Sequence, residues 1–205
     1  MMDKDRWDRL LVNLHLNLEE VTYKKLLSAY SETHRAYHTA QHINDCLFNL
    51  DSNLDLIENK DAVECAIWFH DAIYRPYSKS NEEDSAKWAV DFLLSMDSSQ
   101  ELASVVSKLV IATKHNVPIH SSDESVLVDI DLAILGSEPK DYAKFEADIR
   151  FEYRKVPGFI FRKKRAKLLY GFLEREHIYG CGRFRDRYEA QAKKNIQWAV
   201  NALQR

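Results

Sequence analysis

Breakers are scarce in this chain, and that scarcity narrows the folds open to it. Five glycines and four prolines are spread over 205 residues. Between them Leu, Ala, Lys and Glu recur, and apolar residues return at helical spacing. The expected class is all-α, a single helical bundle. Trp7, Leu10, Leu11 and Leu14 outline a first amphipathic helix, and Leu26, Leu27 and Tyr30 a second over 21–30. A polar link over 31–35 leads to a helix over 37–50. Ala62, Val63, Ala66 and Ile67 mark the next, which ends near 74 because Pro76 disfavours helix at Arg75. Ser80 with Glu83 three residues on reads as a capping box before a helix through Ala86, Ala89, Val90 and Leu93. Further helices are expected over 100–113, over 140–155 after Pro139, over 159–177 and over 185–203.

One segment fits two patterns. Val126, Val128, Ile130, Leu132 and Ile134 alternate as in a strand. The same residues form a helix with Leu127, Asp131, Ile134 and Leu135 on one face. The helical surroundings, and the lack of a second strand to pair with, favour the helix.

No linker or repeat divides the sequence, so one domain over residues 1–205 is expected. The net charge of −3 provides no basic field for collecting phosphates and argues against a nucleic-acid partner. The run Arg162, Lys163, Lys164, Arg165 and Lys167 is better read as a solvated helix face, since few aromatics interleave it. Cys46, Cys65 and Cys181 stand far apart, as befits thiols in a reducing compartment. The first nine residues are charged, and no apolar run approaches the ~18 residues of a membrane span. A cytoplasmic protein without a membrane partner is expected, as a monomer or a homodimer.

The chemistry gathers on a few residues. His70 and Asp71 follow Ile67 and Ala66 at helical spacing, so both point to the core or its edge. Burying a carboxylate costs several kcal/mol unless it is paired or binds a metal. A histidine bonded to its neighbour aspartate answers that cost as well as a metal does. His38 and His42 are four apart and project from one face of a helix, able to share a metal or to divide between metal and substrate. Asp131 falls on an apolar face, with Asp129 nearer its edge. Taken together, His42, His70, Asp71 and Asp131 come from three helices and offer two imidazoles and two carboxylates, a set suited to a divalent ion with positions left for water. His115 ends a helix, where either the macrodipole or a ligand role explains it. Glu82 belongs to a helix start, and Arg150 either pairs with Glu152 or holds a phosphate.

The order His … His-Asp … Asp on a helical chain resembles the HD-domain superfamily of metal-dependent phosphohydrolases. Tyr37-His38 with His42 looks like the Tyr-His-Asn-x-x-His motif of cyclic-nucleotide phosphodiesterases, with Thr39 in place of the asparagine. The wider pattern resembles a bacterial family of HD phosphohydrolases of about this length. It comprises Ile67-Trp68-Phe69-His70-Asp71-Ala72-x-Tyr74, Asn81-Glu82-Glu83-x-Ser85-Ala86, Ala112-Thr113-x-His115, Asp129-x-Asp131-Leu132-Ala133-Ile134-Leu135-Gly136 and Ile149-Arg150-x-Glu152-Tyr153. It covers about residues 37–153, and the C-terminal helices fit the same length.

The resemblance implies an HD-type bundle holding one divalent ion per chain (Mn, Mg, Ni, Zn or Fe) on His42, His70, Asp71 and Asp131, with Asp129 as the substitute last ligand. It implies hydrolysis of a small phosphoester, a nucleotide among the candidates, by a metal-activated water. His38 would protonate the leaving oxygen, Glu82 would orient water, and His115 or Arg150 would meet phosphate or a second metal. Two other classes remain: an HD-fold iron oxygenase or lyase, and a non-catalytic signalling module. The Asp129-x-Asp131 pair also suits haloacid-dehalogenase phosphatases, but those need an α/β fold.

Overall fold

The computed structural model describes residues 2–204; Met1 and Arg205, the ends of the expected domain, lie outside the described residues. Every regular element among them is helical, with no strand, so the all-α expectation holds. The chain forms two compact units, one closing at Ile130 and one opening at Asp131.

The first unit is built around α4 (Lys60–Phe69). Ala62 to Phe69 are buried without interruption, so this helix has no solvent face. Asn59 caps it by accepting from the Ala62 amide, and its one buried acid, Glu64, receives Nε of Arg6 at 2.9 Å. Around it pack α1 (Lys4–Asn13), α3 (Ala40–Asp51), α5 (Asn81–Ser95) and α6 (Gln100–Ala112). Trp7 meets Trp68 edge-on at 5.3 Å, and Phe69 stacks on Phe92 at 5.5 Å. The second helix, α2 (Val21–Ala29), sends Tyr30 at its end to donate to the Trp68 carbonyl.

Two element ends differ from the sequence expectation, and both matter for the site. The helix expected over 37–50 starts three residues later, because Thr39 adopts extended backbone and its hydroxyl accepts from the Gln41 amide. His38 therefore precedes the helix rather than sharing a face with His42. The helix expected to reach 74 stops at Phe69, with His70 as its C-cap. Side chains take the amides that would extend it. The Ile73 amide donates to Ser85 Oγ and the Arg75 amide to Asn81 Oδ1. The expected capping box at Ser80 is not formed either: its hydroxyl donates to Asp84, while Glu83 pairs with Lys114.

The ambiguous segment is helical. Helix α7 (Ser122–Asp131) is followed by a 3₁₀ turn over Leu132–Gly136. Val126 to Ile130 are all buried, so alternation here reflects burial on every side rather than one strand face. Asp123 accepts from the amides of Glu58 and Asn59, which explains its own burial.

The second unit holds α8 (Pro139–Glu152), α9 (Gly158–Leu173), a short α10 (Gly182–Phe184) and α11 (Ala190–Leu203). The basic helix ends at Leu173, short of the expected 177. The terminal helix carries a π-type turn over Arg185–Glu189, where Glu189 turns back to accept from the amides of Ile178 and Tyr179. Arg162, Lys163, Lys164 and Lys167 are exposed, whereas Arg165 pairs with Glu146 at 2.7 Å. Among the described residues, no helix is long and apolar enough to cross a membrane.

Candidate metal centre

His42 sits in the first turns of α3, buried, with its ring Nε2 3.1 Å from Nε2 of His70. His70 is 2% exposed at the end of α4, and its Nδ1 lies 2.9 Å from the Ile67 carbonyl. A carbonyl only accepts, so Nδ1 carries a proton, and Nε2 is the nitrogen turned inward. Asp71, the next residue, places Oδ2 3.1 Å from that Nε2 and 3.5 Å from His42 Nε2. Three potential donors to a metal thus converge on one point, and His70 has the outer hydrogen bond that commonly orients a ligating imidazole.

The spacing fits a bound ion. Donors about 2.1 Å from a common centre lie roughly 3.0 Å apart at right angles and 3.4 Å apart tetrahedrally. The observed 3.1, 3.1 and 3.5 Å fall within about 0.1 Å of that range. Asp131 closes α7, the helix that carries Ile130 of the first unit. Ligand atoms of His42, Cys46 and His70 all lie within 4.8 Å of one another, which makes this cluster able to hold a metal. Of Asp129 and Asp131, Asp129 is the more deeply buried, and neither it nor Asp71 belongs to that cluster.

Electrostatics agree with the geometry. Burial works against the charged form of Asp71, yet the imidazoles of His70, His38 and His42 outweigh it and hold the carboxyl far below its usual range. That carboxylate is ionised, as ligation requires, and a bound cation would take over the charge that imidazole protons supply without one. Glu82, in the first turn of α5, is pushed the other way. Its own burial leads, and the charges of Asp71 and Glu83 add to it against Lys114.

His38 lies beside the centre although it is off the helix. Its ring stacks on Tyr74 at 4.1 Å and stands edge-on to His42 at 6.1 Å. His115 follows α6 in left-handed backbone, φ 59°, a position that ends the helix. Arg150, in the second unit, donates to the carbonyls of Tyr153 and Val156 and lies over the Phe161 ring, so its guanidinium closes the end of α8.

Three participants escaped sequence reasoning. Arg35 sits in what reads as a polar link, yet its side chain is fully buried and spans the carbonyls of His38, Asp71 and Ala72. Tyr74 supplies the stacking face for His38, and the His34 ring bonds its carbonyl at 2.8 Å. Cys46 stands four residues after His42, and that spacing was the available signal. No family model, curated protein or solved structure matches this chain.

Proposed function

We propose that this protein is a metal-dependent hydrolase of a small phosphoester, as its likeness to HD-domain enzymes implies. The observation that carries the reading is the convergence of His42 Nε2, His70 Nε2 and Asp71 Oδ2, with the His70 ring held by the Ile67 carbonyl. His42, His70, Asp71 and Asp131 would hold one divalent ion. Bound there, such an ion acidifies water and neutralises charge on a phosphate oxygen.

The chain's own groups supply the rest. His38 lies at the rim of the centre, and stacking on Tyr74 fixes its ring plane, so it suits donation of a proton to a leaving oxygen. Glu82, half-buried with a raised pKa, suits the orientation of water near Asp71. Arg35 holds the main chain of His38 and Asp71 in a common frame. A small substrate fits better than a nucleic acid, since the net charge is −3 and the exposed lysines of α9 form a solvated face.

Elemental mass spectrometry on protein purified without chelator tests this reading, beside a His70→Ala/Asp71→Ala variant. About one divalent ion per chain, absent from the variant, followed by metal-dependent release of phosphate or alcohol from a phosphoester panel, is expected. About two irons per chain would favour an oxygenase instead. No ion in either protein, after addition of manganese, magnesium, nickel or zinc, overturns it.

A further inference from the structure

His42 has a neighbour that the hydrolase reading leaves unused. Cys46 lies one turn further along α3, 2% exposed, with Sγ 3.8 Å from both ring nitrogens of His42. It is in no disulfide, and its sulfur belongs to the cluster of ligand atoms within 4.8 Å. A sulfur about 2.3 Å and a nitrogen about 2.1 Å from one tetrahedral ion lie roughly 3.6 Å apart. At 3.8 Å from both nitrogens the sulfur sits beside the ring, more than about 4 Å from an ion on the Nε2 lone pair, so a turn about the Cys46 Cα–Cβ bond brings it into the shell. Cys65 makes the contrast. It is equally buried in α4 but outside the cluster, and burial, with the charge of Glu64, pushes its thiol up to about 12.

We propose that Cys46 is a ligand to the ion held by His42 and His70, and that it makes the centre selective for thiophilic ions of the zinc and cobalt type over magnesium and manganese. The inference rests on the metal-centre reading and adds to it. On binding, the S–H bond breaks, its proton passes to solvent, and the sulfur's electron pair forms the bond to the ion. Thiolate is a soft donor, while magnesium and manganese favour oxygen.

Cobalt(II) titration of the metal-free protein tests it. Visible d–d absorption reports occupancy, and a near-ultraviolet sulfur-to-cobalt charge-transfer band reports a cysteine ligand. The band is expected in wild type and in a Cys65→Ser/Cys181→Ser double variant, and is expected to vanish in Cys46→Ser. Cys46→Ser should bind zinc at least about tenfold more weakly, with magnesium affinity unchanged. The double variant decides the matter even where Cys46→Ser does not fold, because Cys46 is then the sole cysteine. Occupancy without the band, or a band that persists in Cys46→Ser, overturns the inference and leaves the metal centre standing. No binding of cobalt, zinc or magnesium by wild type overturns both.

Discussion

Nη1 of Arg35 donates to the main-chain carbonyl of Asp71 across 2.7 Å. The same guanidinium reaches the carbonyls of His38 and Ala72, each at 3.1 Å, and its Nε meets Glu32 at 2.9 Å. One buried side chain thereby ties the segment before α3 to the turn after α4, the two places where the chain leaves helix beside the centre.

Replacing Arg35 should therefore damage both stability and metal affinity. Arg35→Ala strands buried carbonyls and is expected to cost about 3 kcal/mol. Arg35→Lys should recover little, since one ammonium cannot span three carbonyls and a carboxylate. Urea unfolding and a zinc titration check this. A change below about 0.5 kcal/mol with unaltered affinity would show that Arg35 organises nothing.

His115 offers a separate test of its own role. A left-handed residue strains any side chain with a Cβ, and glycine relieves that strain. If His115 only ends α6, His115→Gly should raise stability by about 0.5–1 kcal/mol and leave metal content at its wild-type value. A loss of metal in this variant would instead assign His115 to a ligand shell.

Gly136 packs closely on Tyr188 within the second unit. A Cβ there would lie 2.5 Å from Tyr188 Cβ and 2.8 Å from the Tyr188 carbonyl oxygen. Main chain cannot withdraw as a flexible side chain can, so Gly136→Ala is expected to cost about 2–4 kcal/mol. Thermal melting against Gly171→Ala, where nothing lies within 4 Å of an added Cβ, provides the control.

Glu189 should make the protein acid-sensitive in a defined window. Burial opposes its charge, but the amides of Ile178 and Tyr179 and the ammonium of Lys193 at 3.0 Å lower its pKa in the folded state. A carboxyl lowered on folding contributes stability that is complete above its unfolded pKa, about 4.3, and is lost as pH falls through the lower folded value. Wild type should exceed Glu189→Gln by about 1–2 kcal/mol at neutral pH, and the gap should close below about pH 4. A gap that does not change between about pH 7 and pH 3 would mean that the charge of Glu189 contributes nothing.

Much of this architecture was legible before folding was considered. Helix existence follows from spacing and breaker content, and the helix start at Pro139 and the gap expected between 155 and 159 lie close to the observed ends. Boundaries were less legible where side chains compete for amides, as Ser85 and Asn81 do after His70. The pairing of His70 with Asp71 is visible because the two are adjacent. His42 and Asp131 could be selected as polar residues on apolar faces, which carry a desolvation cost that demands a partner.

The sequence by itself determined the helical class and a short list of residues that must not be buried alone, because propensity, capping and desolvation are local properties. Only the tertiary structure decided which of those residues meet. Helix α4 is buried on every side, so its periodicity says nothing about which face turns to α3. Arg35 reads as a surface charge until the carbonyls of Asp71 and Ala72 close around it. Cys46 became a neighbour of His70 as well as His42 only when α3 packed on α4. Long-range packing sets these distances, and no local pattern encodes it.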